Sequence, residues 1–229
     1  MSEPFNNKNA SVEFLLAEFN AIQSHVIKLE EAKSNRVNFC LIVIAAVTAG
    51  VSGLVGNSNF QSVLKLIVAA SSFGLFILGI AILNQLIRYS EAIVGLYRRA
   101  GRIRRYFADN DAAIRPYLAF EASDDRPLMY ISSAYLEFRG GDVIVLTLNS
   151  VFFAVFTFVI ISILFPLPNW FTTPLVIGSG LMAWFVQKIR IRVRLKKIEE
   201  RMQKSITFPH KTSWDEKAQE KVSEPLMIP

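Results

Sequence analysis

Residues 66–87 read LIVAASSFGLFILGIAILNQLI, with no charged side chain anywhere in the run. At a rise of 1.5 Å per residue, roughly 22 residues reach about 33 Å, enough for a hydrocarbon core of about 30 Å. A helix packed on the surface of a soluble protein keeps charges on its outer face. This run has none on any face, so it predicts a membrane-spanning helix.

Two more uncharged stretches flank it, Val37–Leu64 and Val143–Gln187. The second is too long for one helix and is broken by Pro166, Pro168 and Pro174, so it divides in two. The predicted spans lie near Asn38–Val55, Leu66–Ile87, Val143–Phe165 and Thr173–Gln187, the last continuing beyond the membrane. The links Gly56–Ser62 and Pro166–Thr172 are short, uncharged and rich in turn formers, which predicts two antiparallel hairpins. The 229 residues are 52% hydrophobic and only 19% charged, with a mean hydropathy of +0.35. Four spans of about 20 residues each leave little chain for a separate soluble catalytic domain. The expected fold class is an all-α membrane protein of four transmembrane helices in two hairpins, with amphipathic cytoplasmic helices.

Charge sets the orientation. Arg88, Arg98, Arg99, Arg102, Arg104 and Arg105 follow the second span against one acid, Glu91; Lys188, Arg190, Arg192, Arg194, Lys196 and Lys197 follow the fourth before Glu199. Basic flanks stay in the cytoplasm, so both termini are expected there, in a multi-pass protein of the plasma (inner) membrane. Trp170 and Phe171 then serve as interfacial anchors on the outer side, where Lys65 can snorkel. The first apolar run begins only after Arg36, behind a polar helical segment rather than a short basic one, and is expected to be retained as an anchor. The triplet Asn9-Ala10-Ser11 falls on the cytoplasmic side and is a chance glycosylation match.

The organisation that results is a cytoplasmic amphipathic helix over 1–36, hairpins over 37–87 and 143–187, a basic helix and loop over 88–142, a second basic helix over 188–206, and a disordered tail over 207–229. Val12, Leu15, Phe19, Ile22, Val26 and Leu29 repeat at spacings of three and four, forming a coiled-coil-like seam. Tyr89, Ile93, Leu96, Ala100, Ile103 and Phe107 form another, in a helix running straight out of the second span. Ile191, Leu195, Ile198 and Met202 form a third. A cytoplasmic helical bundle follows, with partners within one chain or between chains. In 109–141, Asp109-Asn110-Asp111 can end one helix and cap the next, while Pro116, Pro127 and Gly140-Gly141 punctuate the segment. Short helices or turns are expected, with a strand in Leu128–Phe138 as the alternative. The two halves share one plan, an uncharged hairpin followed by a basic amphipathic helix.

Chemistry-bearing patterns are sparse. Cys40, the single cysteine, sits in an apolar run and reads as a small inert hydrophobe, which also excludes an internal disulfide. His25 and His210 are far apart, and no His-Glu-x-x-His, P-loop or Gly-x-Ser-x-Gly pattern occurs. No metal, cofactor or enzymatic activity is expected. Asp124-Asp125 reads as a helix cap or solvated turn ahead of metal ligands or an acid/base pair. Arg98, Arg99, Arg102, Arg104 and Arg105, with Arg190, Arg192 and Arg194, are the candidate contacts to anionic lipid headgroups or phosphate, at about 1 kcal/mol per basic residue. Nucleotide or nucleic-acid recognition is a lesser reading of the same arginines, and salt bridges to Glu18, Glu30 and Glu31 a third. Within the spans, Thr48, Ser150, Thr157, Ser162 and Ser179 with Gly50, Gly79, Gly178 and Gly180 suit close helix packing. Lack of ionisable groups at mid-depth argues against a coupled transporter and leaves open a passive pore lined by hydroxyls.

A transmembrane hairpin flanked by cytoplasmic helices resembles small bacterial membrane proteins that include the SLATT-type effectors of prokaryotic conflict systems. The resemblance covers one hairpin and its flanking helices at a time, and this chain has two. It implies a pore-forming or membrane-disrupting role. The reading of the residues themselves puts first a non-enzymatic membrane protein whose cytoplasmic bundle mediates self-association or binding of a cytoplasmic protein partner. An oligomeric channel or pore comes second and a membrane-surface enzyme third.

Overall fold

The computed structural model describes residues 7–55, 61–120, 122–129, 141–165 and 168–208. They form α1 (Asn7–Val55), α2 (Gln61–Asn110), a 3₁₀ helix (Ala112–Tyr117), α3 (Gly141–Leu164) and α4 (Asn169–Gln203). No strand occurs among the described residues. Most of the alternative strand at 128–138 lies outside them, as do residues 56–60 and 166–167 of the two links, His210, and the tail from 209 onward.

Each long helix is a fusion of motifs. α1 joins the first amphipathic seam to the first apolar run without a break at Arg36, because no Pro or Gly interrupts Lys33–Val37. α2 likewise continues through Arg88 to Asn110. Asp111 accepts a hydrogen bond from the Ala113 N–H at 2.9 Å and caps the 3₁₀ helix, the role its sequence position suggests. α4 accommodates Pro174 near its start.

Three helices, α1, α2 and α3, are long and apolar enough to cross a membrane, with mean hydropathies of 2.1, 2.6 and 2.5 in their most apolar stretches. α4 is more polar, because Thr172, Thr173, Pro174, Ser179 and Gln187 dilute its Val, Leu and Phe content. Only 11% of the apolar stretch of α1 is buried within the chain, against 33% for α2 and 28% for α3. An uncharged helix so thinly covered needs apolar surroundings from outside the chain. A bilayer supplies them.

The chain divides into two compact units. Among the described residues, the seam unit takes 7–29, 91–120, 122–129 and 198–208, and the apolar unit takes 30–55, 61–90, 141–165 and 168–197. In the seam unit, Ile22 and Val26 of α1 and Ala100 and Ile103 of α2 form a buried core. Leu15, Phe19, Ile93, Leu96, Tyr97 and Phe107 pack against it. The first two seams read from the sequence thus find each other within one chain.

In the apolar unit the core is Cys40, Ile82, Leu83, Leu86, Val145 and Leu146, joined by Trp184 and Ile191 of α4, so all four helices contribute. Phe73 and Phe76 of α2 meet Phe156 and Phe153 of α3 with ring centroids 5.1 and 5.0 Å apart. Gly79 lets α3 approach α2, since a Cβ there would overlap Asn149. Lys33 of α1 donates to Ser90 at 3.0 Å and pairs with Asp142 at 3.1 Å, tying the start of α3 to α1 and α2. The hydroxyls of Ser150, Thr157 and Ser162 donate to carbonyls four residues back in α3, and that of Ser179 to the Val176 carbonyl, each serving its own helix.

Candidate functional site

The arginine-rich stretch of α2 is where sequence reasoning places recognition, and its side chains meet different fates. Arg98 is only 5% exposed. Its Nη2 donates to both carboxylate oxygens of Glu199 at 2.8 and 3.0 Å, while Nε and Nη2 reach the Pro127 carbonyl at 3.3 and 3.2 Å. Glu199 also accepts from the Met129 N–H at 2.8 Å and from the Gln203 amide at 3.2 Å. Arg98 therefore fastens the segment before residue 130 to the last turns of α4, and is removed from any headgroup or phosphate. Arg104 lies with its guanidinium carbon 5.4 Å from the Phe19 ring centroid and 4.9 Å from that of Phe120, and Arg105 pairs with Asp109 at 2.9 Å. Arg99 alone of the five is exposed. The ion partners are Glu199, Asp124 and Asp109, in place of Glu18, Glu30 and Glu31 suggested by the sequence.

Asp124 corrects a second expectation. It is no solvated turn: it is 1% exposed and accepts from Arg102 Nε at 2.7 Å and from the Thr207 and Phe208 N–H groups at 2.8 Å each. Its own N–H donates to the Phe208 carbonyl at 3.1 Å, and Arg102 Nη2 donates to the Ser205 carbonyl. Gly101 makes the approach possible, because a Cβ there would overlap the Ser123 carbonyl. The loop at 122–124 is thereby clamped between α2 and the segment that follows α4.

Burial pushes the Asp124 carboxyl up, but the Thr207 and Phe208 N–H groups and Arg102 outweigh it and hold the group below the ordinary carboxylate range. A carboxyl whose folded pKa is depressed contributes stability that is complete above its unfolded pKa, about 3.9, and is lost as pH falls through the folded value. Hydrogen-exchange protection of Thr207 and Phe208 is therefore expected to hold from neutrality to about pH 4 and to fall below it. In Asp124→Asn the acid step should vanish and protection should be low throughout. A wild-type profile without that step would separate the clamp from the carboxylate charge.

No group of three or more His, Cys, Asp or Glu side chains is placed to hold a metal ion among the described residues. Comparison with protein-family models, curated proteins and solved structures finds no match.

In the apolar unit, Ile80, Leu83, Asn84 and Ile87 of α2 face Gln187, Arg190, Ile191 and Arg194 of α4 across a half-open cleft. Arg194 Nη1 donates to Asn84 Oδ1 at 2.7 Å, and Asn149 Nδ2 donates to Gln187 Oε1 at 2.7 Å. Arg190 is exposed and Arg192 half-buried. Trp170 and Phe171 are exposed and meet edge to face, with centroids 5.8 Å apart. Sequence reasoning named Arg190 and Arg194 but not Gln187, although an amide one residue before the first basic residue of α4 was a usable signal. Glu199 and Asp124 carried no such signal, since neither their spacing nor their neighbours reveal partners far away in sequence.

Proposed function

We propose that this is a non-enzymatic integral membrane protein that spans the bilayer four times as two hairpins, with both termini in the cytoplasm and a cytoplasmic helical unit that mediates self-association or partner binding. The observation that carries the binding role is the exposure of large aromatic side chains on a unit with its own core. Tyr117 is 85% exposed and Phe14 69%, and Phe120 is exposed on one side while Arg104 covers its ring. Aromatic side chains left in water beside a rigidly paired scaffold are typical anchors of interfaces. The scaffold supports the same reading, because Arg98, Arg102 and Arg105 are committed to internal pairs that hold the surface in one shape. Exposed Arg99 and Arg190 remain for anionic headgroups.

The oligomeric state of the full chain in mild detergent tests the binding role. The wild type is expected to run as an oligomer, and Tyr117→Ser with Phe120→Ser to shift it toward monomer. A monomeric wild type that cross-links to no other copy and to no other protein in native membranes would sink the reading. Topology has a separate check: reporters at positions 58 and 168 should label from outside, and those at 8, 120 and 220 from inside. One reversed site breaks the four-span arrangement.

An oligomeric channel or pore effector is the second reading, favoured by α1, whose thinly covered apolar stretch has a long face free for other copies as well as for lipid. Ion flux in reconstituted liposomes decides it, and absence of conductance in every oligomeric state removes it.

A further inference from the structure

We propose that the cleft between α2 and α4 in the apolar unit is a binding site for the phosphate of an anionic lipid headgroup. The proposal rests on the membrane reading above, which places that unit in the bilayer. Arg190 and Arg194 stand four residues apart on one face of α4, an arrangement in which like charges repel unless an anion lies between them. Among the described residues, no acid lines the cleft. Arg194 spends one donor on Asn84, leaving most of its guanidinium fork unused there, and Arg190 has no ion pair among the described residues.

A second observation is independent of charge. Gln187 is 8% exposed, and with Oε1 accepting from Asn149, its Nε2 and the Asn149 Oδ1 are both left buried without a hydrogen-bond partner among the described residues. A buried amide donor without an acceptor is costly and calls for an occupant. Two guanidinium groups beside this amide form a donor set for phosphate oxygens, which arginine binds bidentately.

The rest of the cleft identifies the source of the phosphate. Ile80, Leu83, Ile87 and Ile191 give it apolar walls. A free inorganic anion gains nothing from such walls, whereas the glycerol and first methylenes of a lipid bury against them. The position fits as well: Gln187 is the last residue of the uncharged stretch and Lys188 begins the basic one, the level at which headgroup phosphates lie.

The test uses the full chain purified in an uncharged detergent, after carbonate extraction of the source membranes has established that it is embedded. Release by carbonate would overturn the membrane reading and this proposal with it. For an embedded protein, phosphatidylglycerol, phosphatidylcholine and inorganic phosphate are titrated against thermal unfolding, and lipid retention is read by native mass spectrometry. The comparison is between wild type, Arg190→Gln and Arg88→Gln, the last removing an equal charge from a residue that does not line the cleft. Phosphatidylglycerol should bind wild type and Arg88→Gln alike and Arg190→Gln at least about tenfold more weakly, the loss of one charge-assisted contact. Equal weakening in both variants would replace the cleft by diffuse surface attraction and overturn the proposal. So would phosphatidylcholine matching phosphatidylglycerol, or inorganic phosphate matching the lipid, which would assign the site to a soluble anion. Failure of all three probes on an embedded protein overturns the cleft alone and leaves the membrane reading standing.

Discussion

Arg98→Met is expected to destabilise the seam unit by about 3–5 kcal/mol, the cost of leaving one member of a buried ion pair uncompensated. Glu199 is 5% exposed and would keep only the Met129 N–H and the Gln203 amide, the latter at 3.2 Å. The Pro127 carbonyl would lose both of its donors. The double variant Arg98→Met, Glu199→Leu should recover most of the loss, because it removes both charges instead of one. Recovery is favoured further by Arg98 Nη1, which is buried without a hydrogen-bond partner among the described residues, so the native pair is incompletely satisfied. A double-mutant cycle on thermal unfolding in detergent measures the coupling. If the single variant melted with the wild type, Arg98 would have no part in fastening α4.

Gly101→Ala is the second large effect, and here two terms oppose. Alanine gains about 1 kcal/mol over glycine in a helix interior. At this position, however, the added Cβ meets the backbone carbonyl of Ser123, which cannot rotate away as a side chain would. The loop cannot withdraw easily either, since Asp124 is held from three sides. Overpacking of this kind costs about 1–3 kcal/mol or more, and the net expectation is a lower melting temperature with weakened protection at Thr207 and Phe208. Gly74→Ala supplies the contrast. No atom lies within 4 Å of a Cβ there, so that substitution should be neutral or stabilising. Equal effects at the two positions would dismiss the close approach at Gly101.

These two sites mark the boundary of what the sequence discloses. Periodicity carried the helices: Leu15, Phe19, Ile22 and Val26 repeat as a packing face must, and the structure sets them against Ile93, Leu96, Ala100 and Ile103 as a local pattern can foretell. Absence of charge disclosed three apolar helices in the same way. Ion pairing has no period. Arg98 and Glu199 are 101 residues apart and Asp124 and Phe208 are 84 apart, so nothing local couples them. A run of arginines beside an apolar span also looks the same whether it faces lipid or turns inward. Only burial separates Arg98 from Arg99, and burial depends on the loop and on α4. Gly101 was the one local hint, a glycine kept inside an otherwise strong helix former, which often means that another backbone comes close.

The clamp at Asp124 has a mechanical side. The two carboxylate oxygens hold consecutive N–H groups, at Thr207 and Phe208, and the Phe208 carbonyl is held in return by the Asp124 N–H. Tension applied to the chain beyond residue 208 therefore stretches these three bonds before it can unwind the last turn of α4. Whatever grips the protein by its C-terminal end pulls on residue 124 and, through Arg102, on α2, so that a tug at the tail is felt by a helix more than 100 residues earlier.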